Sequence, residues 1–194
     1  SLGEWHLENP LEGFAMLKTT ERELTFLSME QVKSLLAACE HSASRHLLPI
    51  VKICLSTGAR WSEASGITPM QVRDGKLQFF ETKSGKRRFV PITKDLEQEI
   101  KSHDMHTSEN YFSKCLPSFD IALKAAGIEL PYKQKTHVLR HTFAVNFIMN
   151  GGNILNLQRA LGHSDIQTTM VYLQFAPDHM GDIPLLNPLA KLAS

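Results

Sequence analysis

Apolar positions recur along this chain with two periods. Ser28-Met29-Glu30-Gln31 reads as a capping box, and Val32, Leu35, Leu36 and Cys39 follow at helical spacing. A second helical run covers 46–56, with Pro49 in its first turn and Gly58 at its end. A short third, 60–65, stops at Gly66 and Pro69. Segments 76–82 and 87–92 instead look like short strands, and Lys83-Ser84-Gly85-Lys86 between them predicts a β-hairpin. Helical spacing returns over 93–103, over 116–126 and over 136–150, where Thr136 is the expected N-cap and Gly151-Gly152 the stop. Asn153 is expected to cap a helix through Leu161. Ser164 is expected to cap a last one that carries Tyr172 and buries Ile166, Met170, Val171 and Phe175. The predicted fold is mainly α (α+β): a helical domain with one small antiparallel sheet.

The ends break the pattern. Residues 1–26 mix Gly3, Trp5, Pro10 and Gly13 with charges and read as an interdomain linker, leaving 27–176 as the folded domain. The tail, 177–194, holds three prolines and Leu185, Leu186, Leu189 and Leu192, suited to packing on a neighbouring protomer or back on its own domain. With 42% hydrophobic and 21% charged residues over 194 positions, the chain can bury one core and is neither low-complexity nor collagen-like. Its apolar runs are too short for a membrane span and its start lacks a signal-peptide pattern, so a cytoplasmic protein is expected. Cys39, Cys54 and Cys115 are odd in number and far apart, which suits reduced thiols rather than staples or zinc ligands. Twenty-one Lys and Arg against 20 Asp and Glu leave +1, far from the basic excess that marks many nucleic-acid binders.

Five segments carry candidate chemistry. Arg60 follows the turn Thr57-Gly58-Ala59, and Lys83 opens the hairpin loop. His137, Arg140 and His141 share one helix face at i, i+3 and i+4. His163 lies in the turn Leu161-Gly162-His163, and Tyr172 follows nine residues later. Singly, each has an ordinary structural reading: an ion pair, a solvated turn, a core-edge ring, or a tyrosine packed with its hydroxyl tied down.

Together, in order, TGARWSEA, the hairpin Lys with KRRFVPI, HVLRHTFA and LGHSDIQTTMVY resemble the tyrosine recombinases, and among them the integrases of temperate bacteriophages, from about residue 24 to 176. The linker wording ENPLEGF is similar as well. The resemblance implies a site-specific DNA strand transferase that attacks a phosphodiester with a Tyr oxygen, leaving a 3′-phosphotyrosine and a free 5′-hydroxyl. Bond energy is kept in the adduct, so no ATP, metal or other cofactor is required. Tyr172 would be the nucleophile. Arg60 and Arg140 would grip the charged transition state through bidentate forks, which an ammonium group lacks. His163 would donate to a further oxygen; such preorganised donors are worth ~3–4 kcal/mol in other enzymes. Lys83 would protonate the leaving oxygen, and His137 would act as general base or orient the phosphate. Glu63 would hold catalytic groups in place, and His141 would be structural. Lys86, Arg87, Arg88, Lys133 and Lys135 would contact DNA, concentrating positive charge that the net value hides. The implied partners are double-stranded attachment sites, a tetramer of the protein on DNA, a host DNA-bending protein and a phage directionality factor. The implied role is integration and excision of a phage genome.

Three other readings compete. His137, His141 and His163 could ligate zinc, although Arg140 beside them would repel the ion and the helix lacks a zincin's glutamate. A type IB topoisomerase shares the tyrosine chemistry but would relax DNA without exchanging strands. A non-catalytic DNA-binding module would be expected to lack one of the key residues, and all are present.

Overall fold

The computed structural model describes residues 24–80, 87–107, 109–131 and 134–178. Lys83, Lys86 and Lys133, with nearly all of the expected linker and tail, lie outside them.

Helix α1 (Met29–Glu40) starts at the expected capping box: Ser28 Oγ accepts from Gln31 N, and Gln31 reaches back to Ser28 N. Helix α2 (Leu47–Thr57) is the central element. Leu47, Pro49, Ile50, Val51, Ile53, Cys54 and Thr57 are all buried, so it is apolar on nearly every side and packs on α1, on α3 (Trp61–Ser65), on α4 (Lys94–Ser102) and on α6 (Lys135–Met149). Trp61 tilts against Phe119 of α5 (Leu116–Ala125) with ring centroids 4.8 Å apart.

The sheet is a three-stranded antiparallel meander: β1 (Val72–Arg73), β2 (Lys76–Phe80) and β3 (Arg87–Pro91), with Leu77 opposite Val90 and Phe79 opposite Arg88. Strand β1 is absent from the hairpin predicted above. Asp74-Gly75, both at positive φ (55° and 69°), form the two-residue turn that makes it, and Asp-Gly is the strongest short signal for such a turn. A second cluster joins Ala144, Val145 and Ile148 of α6 to Leu157 and Leu161 of α7 (Ile154–Leu161) and to Tyr172.

Two helix starts differ from expectation. Helix α6 opens one residue early, after Gln134, and Thr136 lies in its first turn rather than capping it. Ser164 caps nothing: the segment expected as one helix is a single turn, α8 (Gln167–Met170), followed by a 3-10 turn (Leu173–Phe175), with Asp165 Oδ1 accepting from Gln167 N. The predicted apolar stripe is displaced too. Met170 and Val171 are about half exposed, while Thr169 and Tyr172 are buried, so the inward face of this segment carries two hydroxyls.

Candidate functional site

The site is built on helix ends. At the C-terminus of α2, Gly58 takes φ +67°, and a Cβ there would stand 2.5 Å from the Phe143 ring. At the C-terminus of α7, Gly162 takes φ +71° against the Arg88 side chain. Helix C-termini leave carbonyls without intrahelical partners, and guanidinium groups fill these vacancies. Arg140 donates from Nη1 to Gly58 O at 2.8 Å and from Nη2 to Leu161 O at 2.7 Å, while Arg88 Nε donates to Ala160 O at 2.8 Å. One arginine of α6 thus joins the two turns that sequence reading had marked separately.

Arg140 is 4% exposed and has no carboxylate within ion-pair distance among the described residues. Burial, then Arg60 and Arg88, lower its pKa to about 10, against the pull of Glu63, so it remains a cation at neutral pH. A buried, uncompensated guanidinium with three further N–H donors is a socket for an anion.

Glu63 organises the neighbouring arginines. It receives Arg60 N at 2.7 Å, closing the first turn of α3, and Arg60 Nη1 at 3.2 Å. Arg88 reaches both of its oxygens, at 2.9 and 2.7 Å, and lies over the Phe79 ring. Burial alone would raise the Glu63 pKa, but hydrogen bonds and charge from Arg88 and Arg60 hold it below the ordinary carboxylate value. Arg60 keeps 41% of its side chain exposed.

Three histidines stand around Arg140. Burial, then the charges of Arg140 and Arg60, lower the His137 pKa. His163 is pushed to about 4 by burial and by Arg140, Arg60 and Arg88, and its Nδ1 lies 2.8 Å from Thr169 Oγ1. His141 also falls to about 4, from burial, His137 and Arg140, and its Nδ1 lies 2.8 Å from the Tyr172 hydroxyl. Tyr172 is 2% exposed, and burial raises its pKa against the pull of Arg140. Burial and the nearby guanidinium charges thus disfavour the charged form of all three rings. Beside them a cavity of about 490 Å³ is lined by Arg87, Arg88, Arg159, Gly162 and His163.

The model of the phage integrase family matches residues 25–179, spanning all of these groups. The chain belongs to the phage integrase family. The integrase of Escherichia phage 186 is 47% identical over 193 residues, covering 100% of this chain and 56% of that protein. The integrase of Haemophilus phage HP1 is 48% identical over 193 residues, again covering 100% and 56%. The solved catalytic domain of HP1 integrase superposes with a TM-score of 0.82 at 47% identity, over 89% of this chain and 100% of that one. Tyrosine recombinase XerA of Saccharolobus solfataricus is 26% identical over 84% of this chain. The chain spans little more than half the length of the phage integrases it matches.

In this integrase-family domain the charge of Arg140 bears on His137, His163 and Tyr172, and Arg60 and Glu63 bear on Arg140, so these six residues share one electrostatic neighbourhood. Two expectations shift. Arg88, expected on DNA, has a side chain only 10% exposed and spends three donors on Glu63 and Ala160, so it buttresses the site from inside. His141, expected to be structural, touches the Tyr172 hydroxyl. Its signal was its place one residue after Arg140, but which ring would meet the tyrosine depends on where α8 packs. Arg87 is exposed, with its guanidinium 5.4 Å from the Phe80 ring centroid. Lys135 pairs with Asp120 at 3.0 Å, half exposed. Of the three histidines of the zinc reading, His141 meets Tyr172 and His163 meets Thr169, each through Nδ1, and the His137 ring lies 6.2 Å from that of His141; among the described residues no group of three or more His, Cys, Asp and Glu is placed to hold a metal ion. Among the described residues no helix is long and apolar enough to cross a membrane.

Proposed function

We propose that this chain is the catalytic part, 27–176, of a site-specific tyrosine recombinase that integrates and excises a phage genome by cutting and rejoining DNA. The observation that carries this reading is Arg140: a buried cation with no carboxylate in ion-pair distance among the described residues, held by two backbone carbonyls, with a tyrosine hydroxyl and partly buried imidazoles around it. A phosphodiester would supply the missing negative charge. Arg140 and Arg60 would bind its non-bridging oxygens, strengthening as charge develops in the transition state.

In the forward step the Tyr172 O–H bond breaks as the new O–P bond forms, and the P–O5′ bond breaks. The 2.8 Å contact supports His141 Nδ1 as acceptor of the phenol proton, with His137 orienting the phosphate. The resemblance assigns the proton taken up by the 5′-oxygen to Lys83. Rejoining reverses each transfer, so protons and phosphodiester bonds balance over a cycle. Arg87, Lys86, Lys133 and Lys135 would hold the flanking backbone, with affinity falling steeply with salt. The same reading places the protein in the bacterial cytoplasm on double-stranded attachment sites, acting as a tetramer with a host DNA-bending protein and a directionality factor.

The test is covalent trapping in EDTA. Wild-type and Tyr172→Phe protein are mixed with labelled, nicked duplexes carrying the attachment sequence, so that the short 5′-hydroxyl fragment diffuses away. An SDS-resistant adduct is expected from the wild type alone. An adduct in Tyr172→Phe overturns the nucleophile assignment, and wild-type activity that vanishes in EDTA overturns the metal-free mechanism.

A further inference from the structure

A neutral imidazole carries one N–H, on Nδ1 or on Nε2, and the choice decides whether its other edge gives a proton or a lone pair to a ligand. For His163 the choice matters, because an Nε2 lone pair would repel a phosphate oxygen and an Nε2–H would bind it. The neighbouring group that settles it is Thr169. Its Oγ1 lies 2.8 Å from His163 Nδ1, the residue is fully buried, and the hydroxyl has no other hydrogen-bond partner among the described residues. A buried hydroxyl proton needs an acceptor, and Nδ1 is the one within reach. Were Nδ1 protonated, it would donate to an Oγ1 lone pair and the Thr169 proton would be left without an acceptor.

We propose that Thr169 is a positioning residue: it donates to His163 Nδ1 and so locks the ring as the Nε2–H tautomer, the form that donates to a phosphate oxygen. The phosphate half of this statement rests on the recombinase reading; the tautomer half does not. The placement has a second consequence. Thr169 precedes Tyr172 by one turn, and Tyr172 N donates to Thr169 O at 3.1 Å. The turn that carries the candidate nucleophile therefore also carries the group that sets its neighbour's donor, so the two are positioned together. The adjacent Thr168 is exposed and has no such contact, which makes it an internal control.

The experiment compares wild type with Thr169→Val, Thr169→Ser and Thr168→Val. Long-range ¹H–¹⁵N correlation spectra at pH 7 report which His163 nitrogen is protonated, with His163→Gln identifying the signals. The proposal expects the Nε2–H pattern in wild type, Thr169→Ser and Thr168→Val. It expects a shift towards Nδ1–H in Thr169→Val, whose amide spectrum should otherwise remain native-like. In the trapping assay Thr169→Val should form adduct about 10- to 100-fold more slowly at saturating nicked duplex, the range seen when a group orienting a ligating histidine is lost. Its affinity for an intact duplex should be unchanged, and Thr169→Ser should recover the rate. An Nδ1–H pattern in wild type, or an unchanged pattern in Thr169→Val, overturns the proposal. A wild-type domain that forms no adduct even as part of the longer protein overturns the recombinase reading instead, while the spectra still decide the tautomer.

Discussion

Glu63→Gln should loosen the site from beneath. Arg88 donates to both Glu63 oxygens, and the two side chains are 10% and 14% exposed. An exposed ion pair is worth only about 0.2–1 kcal/mol. Stripping the partner from a buried charge costs about 3–5 kcal/mol, because the remaining ion is left desolvated. The low exposure puts this pair near the second case. Two features soften it: Gln keeps one carbonyl acceptor, and Arg88 keeps Ala160 O and its seat over the Phe79 ring. The expected loss is therefore about 2–3 kcal/mol, which for a domain of this size lowers Tm by roughly 5–10 °C. The assay is urea unfolding followed by circular dichroism on wild type, Glu63→Gln, Arg88→Met and the double variant. Because one interaction is removed twice, the double variant should cost less than the sum of the singles, by at least about 1 kcal/mol. A Glu63→Gln variant within about 0.5 kcal/mol of wild type, or additive singles, would refute the claim that this pair holds the site together.

Arg140→Lys should fail although it keeps the charge. A single ammonium cannot reach both Gly58 O and Leu161 O, so stability should drop by about 2–3 kcal/mol and adduct formation by on the order of 10²-fold; near-wild-type trapping would remove Arg140 from the site. Acid should destabilise the fold from about pH 6.5 downward. His141 and His163 have pKa values of about 4 when folded against 6.5 when free, so between those values the unfolded chain binds the extra protons and stability falls with pH. Each ring sets a ceiling of roughly 3 kcal/mol, reduced by its partial contact with water. His46 and His103, also lowered by burial, act in the same direction, and the depressed Glu63 extends the loss at still lower pH. Equal urea midpoints at pH 7.5 and 5 would contradict this.

Local signals were legible in the chain because they depend on a few adjacent residues. Ser28, Asn153, Gly58 and Gly162 mark helix ends by the bonds or backbone angles they alone supply nearby, and period-two spacing marks β2 and β3. The same holds for His137, Arg140 and His141 on one face of α6 and for the ordered motifs around Arg60 and His163. Tertiary structure decided the partnerships. Arg88 reads as one more cation in a basic run; only the packing of β3 against α7 turns it towards Glu63 and Ala160, 25 and 72 residues away. His141 reads as a helix residue beside an arginine until Tyr172, 31 positions on, is folded against it. Thr169 and Thr168 are the same residue type side by side, and burial of one face of a single helical turn separates a hydrogen-bonding hydroxyl from a solvated one. Propensity and capping act over about one turn of chain, whereas ion pairs, tautomers and desolvation are set by whatever the fold brings within 3 Å, and no short-range pattern encodes that.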